Sequence, residues 1–175
     1  MQCDTTTCAF NLPCVPSVGP IPCNIAVLAE NPGYKEIEIG KPLVGPAGKR
    51  FDEILAAAGL DRSVIFIMNT VGCTDLTREN RHPMPAEIEA CRPRLLADIE
   101  RSNPKVIVSL GGYAHSLLFP GFENRVGRVR HMIRNWNGRM VVGSYHPAAT
   151  LPFRNPDLFQ LVVEDFMLAK ELCAT

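Results

Sequence analysis

Net charge is what this chain most plainly lacks: eighteen basic side chains balance eighteen acidic ones over 175 residues. A partner held through bulk charge is therefore excluded, although a local basic patch is not. Missing too is any apolar run long enough to cross a bilayer, and the opening MQCDTTTCAF has neither the basic nor the apolar region of a signal peptide. A cytoplasmic protein without a membrane partner is expected. No repeat, low-complexity tract or block of like charge divides the sequence, so residues 1–175 read as one domain. Hydrophobic residues make up 46% and charged residues 21%, the balance of a soluble globular chain that buries a core of its own. A monomer is expected.

Cysteine, by contrast, is plentiful. Seven occur, at positions 3, 8, 14, 23, 73, 91 and 173. An odd number with no secretory signal points away from a disulfide framework and towards buried thiols or metal ligands. Any one of them taken singly reads as a small hydrophobe.

Near-continuous apolar runs at residues 24–29 (NIAVLA), 64–69 (VIFIMN), 106–110 (VIVSL) and 140–145 (MVVGSY) have the character of buried parallel strands. Helical spacing of apolar residues marks 47–58, 86–102, 113–119 and 158–172. Strands alternating with helices predict a three-layer α/β/α sandwich around a four-stranded parallel sheet. In such sheets ligands bind beyond the carboxyl ends of the strands. There the sequence places Glu30 to Gly33, then Asn69, then Gly111-Gly112, then His146-Pro147-Ala148. Each taken singly reads as a loop cap or a surface histidine. Together, at equivalent topological positions, a carboxylate, a carboxamide and an imidazole read as a binding pocket.

The same residues carry a resemblance. Ala29-Glu30-Asn31-Pro32-Gly33 followed by Gly40-Lys41-Pro42-Leu43-Val44-Gly45-Pro46-Ala47-Gly48 resembles the first motif of the iron–sulfur uracil-DNA glycosylases. Asn69-Thr70-Val71-Gly72-Cys73 is similar to their strand-end asparagine and cluster cysteine. Asn80-Arg81-His82-Pro83-Met84-Pro85, with Glu87 and Cys91, resembles their NRxPxPxE…C stretch. Tyr145-His146-Pro147-Ala148 and Arg154-Asn155-Pro156 are similar to their last motif. The agreement runs in order from about Val15 to Pro156.

The resemblance implies excision of uracil from single- or double-stranded DNA in base excision repair, and a 4Fe-4S cluster on four cysteines. Cys73 and Cys91 fall on the second ligand pair. The usual C-x2-C first pair is missing, so Cys3 and Cys8 are the nearest candidates, and Cys14 could replace either. Zinc on the same sulfurs is chemically possible. Asn69 would read the uracil edge, because a carboxamide both donates and accepts. His146 would donate to the uracil oxygen as charge develops there. Glu30 would hold water and face the cationic sugar, with Gly33 in the same motif. Glu36 falls where related enzymes place an acid near the base's C5 edge. Leu43 stands where the family has an aromatic that stacks on the flipped base, so a ring–ring contact of about 0.5–1.5 kcal/mol is lost.

Residues 122–154 hold Arg125, Arg128, Arg130, Arg134, Arg139 and Arg154 against the single acid Glu123, which reads as a phosphate track or as a solvated face. Leu151 and Phe153 follow in a proline-bounded loop that could wedge into the duplex or pack on the body. Two other readings stay open. A related branch bonds covalently to the abasic sugar through a histidine in an arginine-rich loop, and Arg78-Glu79-Asn80-Arg81-His82 has some of that character. The third is a DNA-binding protein that carries the cluster without catalysis; loss of Glu30, Asn69 or His146 would favour it, and all three are present.

Overall fold

The computed structural model describes residues 10–78, 82–120, 126–130 and 132–174. In chain order the elements are β1 (Ile25–Ala29), α1 (Tyr34–Ile39), α2 (Pro46–Ala57), β2 (Ile65–Asn69), α3 (Pro85–Ser102) and β3 (Val106–Leu110). Then come α4 (Gly112–Leu118), α5 (Val126–Val129), β4 (Ile133–Trp136), β5 (Arg139–Ser144) and α6 (Leu158–Ala174). One sheet runs in the order β2-β1-β3-β5-β4.

Every residue of β1, β2 and β3 is buried, as strands covered on both faces must be. Their side chains alternate between two cores. Ile25, Val27 and Ala29 join Phe51, Ile54 and Leu55 of α2 and Val162, Val163 and Phe166 of α6. Ala26 and Leu28 join Leu95 and Ile99 of α3 and Ala114 and Leu118 of α4. This is the expected three-layer sandwich, with α2 and α6 on one face and α3 and α4 on the other. No helix among the described residues is long and apolar enough to cross a membrane.

The four expected strands, β1, β2, β3 and β5, are present and parallel. Among the described residues the sheet gains a fifth that the sequence reading lacks, β4, which pairs antiparallel with β5. The reason is a two-residue turn: Asn137 and Gly138 have φ of 49° and 82°, the left-handed pair that closes a tight hairpin. Asn-Gly is a readable signal, but β4 is nowhere buried and so has no apolar run to flag it. The six-residue α1 and the one-turn α5 also went unread, being too short for a helical period to show.

The register aligns the carboxyl ends of the strands. Ala29 lies opposite Asn69, and Leu110 opposite Ser144, so Glu30, Asn69, Gly111 and His146 converge on one rim. Along the outer edge of β2 runs the N-terminal arm: Val18 and Ile67 exchange backbone hydrogen bonds of 3.0 and 2.7 Å, and Val15 N–H donates to Gly72 at 2.7 Å. Gly19, at φ 137°, passes so close that a Cβ would come within 2.4 Å of the Ile65 carbonyl.

Arm, sheet and α3 meet at one buried guanidinium. Arg94 donates to Asp98 at 2.9 Å, to Ser17 at 3.3 Å, and to the Asn69 and Thr70 carbonyls at 2.6 and 3.3 Å. Removing one partner of such a pair leaves an uncompensated buried charge. Arg94→Met is therefore expected to destabilise the fold by about 3–5 kcal/mol, measured as a lowered urea midpoint. Replacing Asp98 by Leu in the same chain should recover much of that loss, since no buried charge is then stranded; Arg101, its other partner at 2.8 Å, is exposed enough to turn to water.

Candidate functional site

The rim is built on loops that hydrogen bonds hold in place. After β1, Asn31 donates to Thr74 Oγ1 at 2.7 Å, and Thr74 in turn donates to the Pro32 carbonyl at 2.7 Å. This pins the turn that presents Glu30. The Glu30 carboxylate, mostly covered, pairs through Oε1 with Nδ1 of the half-exposed His82. Asn69 closes β2 at 4% exposure. Its backbone carbonyl belongs to Arg94, and its carboxamide makes no hydrogen bond among the described residues, which leaves both ends of the amide for a ligand.

Glu36 is buried on α1, and its Oε1 accepts from the Val44 and Gly45 N–H groups at 2.9 and 2.7 Å. It therefore clamps the loop before α2. Gly33 is there for room, because a Cβ on it would lie 2.7 Å from Glu36 Oε2. Leu43, expected over a flipped base, is buried in the same core cluster as Phe51 and Ile54, with φ 50°. Its carbonyl accepts from Arg62 at 2.8 Å, and α2 packs so tightly beneath that a Cβ on Gly48 would reach 2.0 Å from that oxygen. Leu43 serves first as a core residue.

His146 begins the turn Pro147–Thr150, and its Nδ1 accepts from the Ala148 N–H at 3.2 Å. The ring's single proton then sits on Nε2. Burial pushes the imidazole down to about 4; Arg154 adds to this and Glu36 opposes it. At neutral pH, His146 is an uncharged donor. The motif glutamate Glu87 is equally legible in physical terms: it accepts from the Met84 N–H at 2.8 Å and from Arg78 at 2.7 Å, capping α3.

The arginine run does not form one continuous track. Arg130, expected on DNA, is turned inward, bonded to Asp165, to Glu164 at 3.0 Å and to the Leu161 carbonyl at 2.8 Å. Arg139 pairs with Glu100 at 3.2 Å, and Arg134 lies over the Phe119 ring. Arg128 and Arg154 remain exposed. Arg125, like Glu123, lies outside the described residues. Beside His146, Leu151 is partly covered while Phe153 projects at 78% exposure.

Cys73 and Cys91 are buried thiols, and Cys14 packs against them with Leu12, Val71 and Ile88. A hydrogen bond from Cys73 brings the Cys91 thiol down to about 6, against the opposing effect of burial, with Gly72 N–H and Arg94 assisting. Cys14 is disulfide-bonded; Cys3 and Cys8 lie outside the described residues. Among the described residues no set of three His, Cys, Asp or Glu side chains is arranged to hold a metal. The donor set is nonetheless all sulfur in an apolar pocket, the chemistry an iron–sulfur cluster requires. Cys23 is pushed up to about 11 by burial, and Cys173 is raised for the same reason.

The sequence offers His82 only as a nucleophile and Cys14 only as a substitute ligand. Neither contact is local in sequence, so no spacing rule points to them.

Comparison with known proteins adds an independent finding. Residues 16–167 match the family model of the Uracil DNA glycosylase superfamily. The chain is 37% identical over 153 residues to the type-4 uracil-DNA glycosylase of Thermotoga maritima, covering 87% of this chain and 79% of that protein. It is 36% identical over 166 residues to that of Archaeoglobus fulgidus, at 91% and 81% coverage. It is likewise 36% identical over 170 residues to that of Saccharolobus solfataricus, at 93% and 77%.

Two histidines make acid stability testable. His146 and His115 both lie near 4, from an ordinary value of 6.5, each chiefly through burial. The unfolded chain therefore binds protons first, and the histidine contribution to stability is full above about pH 6.5 and falls as pH drops towards 4. Urea midpoints should decline between about pH 6.5 and 5. His115→Gln should flatten that slope.

Proposed function

The chain belongs to the uracil-DNA glycosylase superfamily, and we propose that it excises uracil from DNA by hydrolysing the N-glycosidic bond, leaving an abasic site for base excision repair. The observation that carries this reading is the fixed tautomer of His146, with Nδ1 taken by the Ala148 N–H and Nε2–H left to donate, on the rim shared with Glu30 and Asn69.

The base must leave the stack and enter a pocket before its sugar bond is accessible. As that bond breaks, negative charge gathers on uracil and positive charge on the deoxyribose. His146 Nε2–H stabilises the first at a uracil oxygen, and being neutral it does so as a hydrogen-bond donor. The Asn69 carboxamide, buried and without a hydrogen bond among the described residues, reads the uracil edge by donating and accepting together. The Glu30 carboxylate faces the sugar cation and holds the attacking water. Glu36 acts at one remove, keeping the 43–46 loop against the pocket. Arg128 and Arg154 meet phosphates, and the exposed Phe153 fills the gap left by the base. The protein acts as a monomer, and either single- or double-stranded uracil-containing DNA fits this reading.

Cys14, Cys73 and Cys91, with Cys3 or Cys8 as the fourth, would hold a 4Fe-4S cluster, Cys14 then serving as a thiolate instead of in its disulfide. Such a cluster would supply cohesion, fastening the N-terminal arm to the start of α3.

His146→Ala is expected to slow single-turnover uracil excision by at least on the order of a hundredfold while duplex affinity hardly changes, because phosphate contacts supply most of it. Excision at the normal rate would reject the assignment. Anaerobically prepared protein should be brown, with matching iron and sulfide contents that Cys91→Ser and Cys14→Ser each lower. Stoichiometric zinc without colour would contradict the cluster.

A further inference from the structure

Glu30 does not stand alone on the rim. His82 reaches it from the loop before α3, and the His82 ring lies on Tyr113 at the start of α4, with centroids 4.5 Å apart and planes inclined by 19°. Three segments far apart in sequence thus converge on one carboxylate: the end of β1, the loop before α3 and the turn after β3. Nothing in the roles given to His146 and Asn69 requires either ring. A carboxylate oxygen only accepts, so the hydrogen in the Glu30–His82 contact sits on Nδ1.

We propose that His82 is a positioning residue for Glu30: its Nδ1–H holds Oε1, and the stack on Tyr113 holds the imidazole, so that Oε2 is the oxygen left for water and the sugar. The inference rests on the glycosylase reading, since it assigns how the acid of that same site is oriented. A glutamate has three rotatable bonds, and one on an open rim samples many rotamers unless something restrains it. Catalysis is sensitive to such freedom: a misplacement of about 1 Å can cost on the order of a hundredfold in rate. A flat ring held face to face by a second ring offers its donor in one direction, which a flexible lysine would not. His82 also falls on a position that the NRxPxPxE pattern leaves unspecified, so the restraint belongs to this chain.

Single-turnover excision of uracil from an oligonucleotide, with duplex affinity measured in parallel, tests this. His82→Phe keeps a ring for Tyr113 but removes the donor, and is expected to lower the rate at least about tenfold with affinity unchanged. His82→Asn places an amide N–H where Nδ1 stood, and should restore the rate to within about threefold of wild type. In a Glu30→Gln background, His82→Phe should cost almost nothing further, because residues that act through one another are not additive. His82 is half-exposed, so these variants should keep the wild-type melting temperature.

Wild-type rates in His82→Phe, equal slowing by Asn and Phe, or an undiminished loss in the Glu30→Gln background would each overturn the proposal. So would a denaturation-resistant adduct with product DNA that His82→Phe abolishes, which would make the imidazole a nucleophile. If the wild-type protein releases no uracil at all, the glycosylase reading fails first, and that result is distinct from any of these.

Discussion

A single buried cation, Arg94, governs how this molecule is put together. An isolated guanidinium in a protein interior costs several kcal/mol, so its surroundings must supply acceptors, and here they come from three places. Asp98 belongs to the same helix, Ser17 to the N-terminal arm, and the Asn69 and Thr70 carbonyls to the end of β2. Satisfying one charge therefore fixes the arm, α3 and the rim relative to one another. Two functional features depend on that. Asn69 has its backbone held from behind while its carboxamide makes no bond among the described residues, and Cys91, one turn before Arg94, is drawn towards Cys73 and Cys14.

On the opposite half of the sheet a second buried charge plays a similar part. Asp165 of α6 accepts from Ser144 at 2.7 Å and pairs with Arg130, which ties the end of β5 to the helix behind it. His146 follows two residues later. Its position on a braced strand end, with Nδ1 already bonded, keeps the proton on the nitrogen where a donor is useful. Burial then keeps the ring neutral. The two acids of the first motif divide the remaining work by environment. Glu36 is enclosed and bonded to backbone N–H groups, so it shapes a loop. Glu30, at the rim with an imidazole at its side, is the one that can meet a substrate.

How far the sequence could be read depends on the range of each interaction. Strands buried on both faces and helices of three or more turns repeat their apolar pattern many times within a short window, and those elements were legible. So was the rim, because residues that end parallel strands must come together once the sheet forms. The elements missed were short or polar. In β4 only the Asn137-Gly138 turn carried a signal, and α1 is too brief for a period.

What the sequence by itself determined was thus the layer architecture, the strand ends and the residue types that gather there. Tertiary structure decided which of those residues are available and which are occupied. Arg130 reads as basic surface until α6 brings Asp165 against it, and Leu43 as a base platform until α2 closes over it. Cys14 joins Cys73 and Cys91 only because the arm pairs with β2. Glu30 meets His82 across 52 residues because the loop before α3 returns over the end of β1. The physical reason is common to all four: local pattern reports which side of an element faces inward, whereas the partner it meets there is set by surfaces distant in the chain.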